Sequence, residues 1–91
     1  MKSILQREKK CFVCGSESVQ DHHIYFGSKR KTSEKNGFKC WLCWEHHLGT
    51  EGVHGRNGHS LDVFLKEECQ RKFEETHTRE EFIKLIGCNY L

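Results

Sequence analysis

Two cysteine-rich knuckles, CFVC at Cys11–Cys14 and CWLCWEHH at Cys40–His47, flank the pair His22-His23 in a chain of 91 residues. A chain this short buries too little apolar surface to be comfortable without a staple, and thiolates two residues apart offer one in the form of bound zinc. The knuckles therefore predict a metal-centred fold. They also leave a surplus of imidazoles that a four-coordinate structural zinc does not need, and function is to be sought there.

Six cysteines also fit a disulfide framework. The leading segment MKSILQREKK is charged within a few residues, however, so no secretory signal is expected and the reducing cytoplasm is the expected compartment. No run approaches the ~18 apolar residues of a membrane span, and no membrane association is expected. The net charge of +2 does not by itself announce a nucleic-acid partner. The charges are segregated, though: Arg7, Lys9, Lys10, Lys29, Arg30, Lys31 and Lys35 lie in the first half, whereas Glu67, Glu68, Glu74, Glu75, Glu80 and Glu81 gather towards the C-terminus. That distribution permits a basic face suited to phosphate.

Weak strand signals around Ser18 to Phe26 and Phe38 to Leu42 predict two strands joined by a long polar loop from Gly27 to Gly37. The period then changes. Leu61, Phe64, Leu65, Cys69 and Phe73 recur at helical spacing, which predicts a helix from about Leu61 to Glu75 with Ser60 as N-cap. Thr78 and Glu81 have capping-box spacing ahead of Phe82, Ile83, Leu85 and Ile86, and Gly87 ends this second, shorter helix. No internal repeat is evident. The chain reads as one α+β domain, with its metal-rich part over about 11–59 and two C-terminal helices over about 60–87.

Cys11 and Cys14 have the gap that lets a tight turn aim both sulfurs at one ion, and Gly15 suits that turn. The second half-site has two versions, Cys40 with Cys43 or Cys43 with His46. Alternation along Phe38 to Leu42 puts Cys40 on the face opposite Cys43, which favours Cys11, Cys14, Cys43 and His46 as the zinc ligands over a set containing Cys40. Cys69 and Cys88 are expected to pack in the core.

Seven histidines include His22-His23, His46-His47, His54 and His59. Neighbours on a strand point to opposite faces, so His22 and His23 are suited to two different jobs, such as metal ligand and unmetallated general base. A second structural zinc site made of His22, His47, His54 and His59 satisfies the spacing as well.

The order CxxC, then Asp21-His22-His23-Ile24, then Leu42-Cys43-Trp44-Glu45-His46-His47 resembles the HNH endonucleases of the ββα-metal type, with His46 in place of their usual second cysteine. With Ser33-Glu34, Gly52-Val53-His54 and Asn89-Tyr90-Leu91 included, nearly the whole chain is similar to small HNH-like proteins of phages and prophages, some associated with recombination. The resemblance implies a zinc-stabilised ββα-metal domain that hydrolyses DNA phosphodiesters in the cytoplasm of a bacterial host. His23 matches the general base, and His22 and His47 match ligands of a catalytic divalent ion (Mg²⁺, Mn²⁺, Ni²⁺ or Zn²⁺). His54, or else His59, completes that set. Lys29, Arg30 and Lys31 would hold backbone phosphates. Phe38 stands where the family often has an asparagine, Asn36 being out of register. Two other readings carry over: a non-catalytic zinc-stabilised DNA- or protein-binding module, and a regulator that docks a larger recombination protein.

Overall fold

The structure is a computed structural model that describes residues 2–91. It is α+β, and its centre is a two-stranded antiparallel sheet of β1 (Gln20–His23) and β2 (Lys39–Leu42). The register pairs Gln20 with Leu42, Asp21 with Trp41, His22 with Cys40 and His23 with Lys39. Directly opposed residues share a face, so His22 lies with Cys40 on the buried side and His23 with Lys39 on the other. Both strands are shorter than their apolar patterns suggested. Ile24 and Tyr25 continue into the core without ladder pairing beyond the Ile24 N–H donation to the Phe38 carbonyl at 2.9 Å.

The open edge of β2 is covered by the N-terminal segment. Trp41 N–H donates to Gln6 Oε1 at 2.8 Å, Phe12 N–H donates to the Trp41 carbonyl at 2.8 Å, and the Ser3 hydroxyl donates to the Lys39 carbonyl. A two-stranded sheet is marginal alone, and this strap satisfies backbone groups that would otherwise be an exposed pairing edge.

The segment expected as a polar loop is ordered into a 3-10 turn at Gly27–Lys29 and the helix α1 at Arg30–Asn36. Its hydrophobic face is too small to give a periodic signal. One fully buried residue, Ser33, anchors it, accepting from Tyr25 N–H at 3.1 Å and donating to the Tyr25 carbonyl at 2.7 Å. Gly37 ends the helix at φ 72°, the left-handed conformation that favours glycine.

The short helix α2 (Trp44–His47) follows β2, and α3 (His59–Phe73) and α4 (Arg79–Ile86) complete the chain. Thr78 and Glu81 form the expected capping box on α4, and Gly87 closes it at φ 96°. Helix α3 begins earlier than its apolar stripe. Gly58 is its N-cap and Ser60 lies inside the first turn without a capping bond. Leu65, Cys69 and Phe73 are buried, but Phe64 is exposed. Cys88 is exposed too, contrary to the expectation of core packing, because Gly87 turns the chain away after α4.

The core brings Ile24, Phe38, Cys40, Leu42, Leu65, Phe73, Phe82 and Ile86 together around Tyr25. Tyr25 meets Phe38 and Phe82 edge to face at 5.5 and 5.4 Å, and its hydroxyl donates to the Lys66 carbonyl at 2.6 Å. Buried Gln70 accepts from Tyr90 N–H and donates to Asn89 Oδ1, which ties the C-terminal residues to α3. No helix among the described residues is long and apolar enough to cross a membrane.

Candidate metal centres and cleft

The first cluster is built by the turn after Cys11 and by the junction of β2 with α2. Gly15 N–H donates to the Cys11 carbonyl at 2.9 Å, with Gly15 at φ 78°, and this closes the first knuckle. Cys43 precedes α2 and His46 lies on it. Cys11, Cys14, Cys43 and His46 bring their ligand atoms within 4.8 Å of one another. The Cys14 and Cys43 sulfurs are 3.8 Å apart, matching the tetrahedral edge of about 3.8 Å that follows from Zn–S bonds of about 2.3 Å. His46 Nδ1 lies 3.1 Å from the Cys43 sulfur and 3.7 Å from that of Cys11. Burial alone would raise the Cys11 thiol, but backbone hydrogen bonds at Cys43, Cys14 and Val13 outweigh it and hold the group down to about 6. A thiolate at neutral pH is the form a metal binds. The cluster could therefore hold a metal such as zinc. Cys40 is outside it, fully buried in the apolar core, where burial pushes its thiol well above the ordinary range.

A second group joins β1 to α2 and to the loop beyond. His22, His47 and His54 lie with their ligand nitrogens within 4.8 Å of one another, their ring centroids 4.9 to 5.2 Å apart. Phe26 walls the cluster, 5.0 Å from the His54 ring. His22 is 2 % exposed, and its Nε2 is buried with no hydrogen-bond partner. Burial, with the neighbouring His47 and His54, holds its imidazole down to about 3, and burial lowers His47 in the same direction. His47 Nδ1–H donates to Gln20 Oε1 at 2.7 Å, which leaves its Nε2 with a free lone pair. Three imidazoles, one with an orphaned buried nitrogen and one oriented through its other nitrogen, fit a divalent transition metal. His59 is exposed at the start of α3 and stands outside the group, as does His77, whose ring stacks on Phe73 at 4.1 Å.

His54 reaches this place through a feature overlooked in the sequence. Gly49, Gly52, Gly55 and Gly58 recur at every third residue, and each N–H after the first donates to the carbonyl of the glycine before it, at 2.7 to 3.2 Å. The coil lies against α2, with Val53 N–H on the His46 carbonyl and His54 N–H on the His47 carbonyl, both at 3.0 Å. A Cβ at Gly52 would stand 2.7 Å from the His47 carbonyl carbon, and at Gly55 or Gly58 it would overlap the carbonyl oxygen of Gly49 or Gly52. Space, and not positive φ, demands glycine here.

The third group lies on the other face of the sheet. His23 Nε2 is 2.9 Å from Glu34 Oε1, and Lys39 Nζ is 2.9 and 2.8 Å from the two Glu34 oxygens and 3.8 Å from Asp21 Oδ2. Asp21, His23 and Glu34 have the proximity of a metal site, but the Lys39 ammonium already supplies the cation. Lys39, with His23, holds the Glu34 carboxyl down to about 2. His23 and Glu34 line a cleft of about 300 Å³ rimmed by exposed Arg30, Lys31 and Lys35. Lys29 lies elsewhere, its Cε beside Gly87 at the end of α4. Phe38 is a core residue. Lys39 and Gln20 were not singled out from sequence, Glu34 entered only through the resemblance and Lys35 only among the basic residues of the first half. Lys39 had one available signal, since pairing of the two predicted strands sets it against His23.

The chain gives no significant match to any family model, curated protein or solved structure.

Proposed function

We propose that this protein is a metal-dependent endonuclease of the HNH type acting on DNA, with β1, β2 and α2 as its ββα-metal unit. One observation carries the reading: adjacent His22 and His23 are divided between a cluster of three imidazoles and a cleft rimmed by Arg30, Lys31 and Lys35. Hydrolysis of a phosphodiester asks for both environments, one to stabilise developing charge and one to take a proton. His23 takes the proton of a water whose oxygen bonds to phosphorus. The bond from phosphorus to the 3′ oxygen breaks, leaving a 5′-phosphate and a 3′-hydroxyl protonated from solvent. Arg30, Lys31 and Lys35 hold the phosphate backbone in register over His23. A divalent ion at His22, His47 and His54 would supply Lewis-acid stabilisation of the charge on the departing oxygen. Zinc at Cys11, Cys14, Cys43 and His46 would hold the fold.

The test is cleavage of supercoiled, single-stranded and branched DNA with Mg²⁺, Mn²⁺ or Ni²⁺, by wild type and His23→Ala. Loss of a general base is expected to lower the rate by about 10²-fold or more, with zinc content and DNA binding kept. If wild type cleaves no form of DNA with any of these ions, the histidines serve a zinc-stabilised binding module instead.

A further inference from the structure

Lys39 is 2 % exposed, and a buried ammonium requires a partner. It finds Glu34, reaching both carboxylate oxygens from β2 while α1 presents the carboxylate from above the sheet. Glu34 is itself more than half exposed and would otherwise sample several rotamers; the ion pair fixes one. In that rotamer Oε1 also meets Nε2 of His23, the residue paired with Lys39 across the sheet. An ionised carboxylate is acceptor only, so the ring must donate, and its hydrogen lies on Nε2. A neutral imidazole carries one N–H, and the remaining lone pair is then on Nδ1.

We propose that Glu34, locked in place by Lys39, is a positioning residue that holds His23 as the Nε2–H tautomer and so makes Nδ1 the nitrogen that accepts the proton from water. The logic is that of a carboxylate orienting a catalytic histidine, where the carboxylate takes no proton but selects ring orientation and tautomer. Lys39 extends the chain of control one residue further. Its charge keeps Glu34 ionised, and it stands beneath the cleft without touching the phosphate that the rim cations would hold. The catalytic part of the inference rests on the nuclease reading, whereas the tautomer does not.

Two measurements test it on the full-length, zinc-loaded protein. Nitrogen-15 correlation spectra of the histidine rings, recorded at about pH 8 where an ordinary imidazole is neutral, are expected to show His23 as Nε2–H in wild type and as a tautomer mixture in Glu34→Ala. A wild-type His23 protonated on Nδ1 overturns the proposal whether or not the protein cleaves DNA. In the cleavage assay, Glu34→Ala is expected to lower kcat by about a hundredfold, with KM changed less than about threefold. Glu34→Gln, which keeps an acceptor oxygen, recovers part of that loss, and Lys39→Met resembles Glu34→Ala. Unchanged kcat in Glu34→Ala, alongside an active wild type, removes the positioning role and leaves the nuclease standing. An inactive wild type removes the nuclease reading, and the tautomer then decides for Glu34.

Discussion

Neighbouring residues of one type do different work here because a strand turns them apart. Cys40 and Cys43 show the same separation at the other end of the site: one is in the apolar core and the other is 3.8 Å from the Cys14 sulfur. Their substitutions should diverge accordingly. Cys43→Ser is expected to lose the zinc and, because metal binding in a small domain is folding free energy of ~10 kcal/mol or more, to leave the chain unfolded. Cys40→Ser is expected to keep one zinc per chain and lose only about 1–3 kcal/mol from burying a hydroxyl without a partner. Zinc stoichiometry and thermal melts check both, and retention of zinc by Cys43→Ser would return Cys40 to the ligand set. This separation was legible in the sequence because a strand has a period of two. The partners of His23 were not, since Glu34 comes from a helix with no periodic signature and meets the ring only through tertiary packing.

At the scale of elements, α4 announces itself through local chemistry, a capping box and a closing glycine that act within a few residues. Helix α3 was legible in its stripe but not in its start. Its first turn is set by the glycine coil, whose last member is the N-cap. The coil is the element that sequence reasoning read least well, because a repeat of glycine at every third position carries no hydrophobic period. Its importance is steric. Gly52 fits against the carbonyl carbons of His46 and His47, and a methyl group there must push the coil off α2. Gly52→Ala is expected to destabilise the protein by about 1–3 kcal/mol, the usual range for overpacking. Because His54 is hung from the His47 carbonyl through this coil, the same variant should weaken Ni²⁺ or Mn²⁺ binding at the histidine cluster while zinc stays bound. Calorimetric titration and zinc analysis on one sample separate the two effects. Equal affinity in the variant would mean that the coil does not set His54.

For the molecule as a whole, a small net charge conceals a division of labour. Acidic residues are spread along α3 and α4 and spend themselves on local pairs such as Arg71 with Glu68, Lys72 with Glu75 and Arg79 with Glu74. Arg30, Lys31 and Lys35 instead gather on one rim, on a single short helix above His23. Exposed ion pairs add little to stability, whereas a cluster of like charge beside a cleft attracts a polyanion and is screened by salt. Under the nuclease reading each rim cation neutralises one phosphate and releases its condensed counterions. Replacing all three by alanine is therefore expected to reduce the slope of log binding constant against log salt by about 2 to 3 on duplex DNA. Lys29→Ala, which removes a side chain that passes beside Gly87 and does not line the cleft, should leave the slope nearly unchanged. Fluorescence anisotropy with a labelled duplex across a salt series, with Mg²⁺ omitted to prevent cleavage, measures both. A slope that falls equally for Lys29→Ala and for each rim variant would place the DNA on the broad basic half of the chain instead of in the cleft, and His23 would then be too far from the bound phosphate to act as its base.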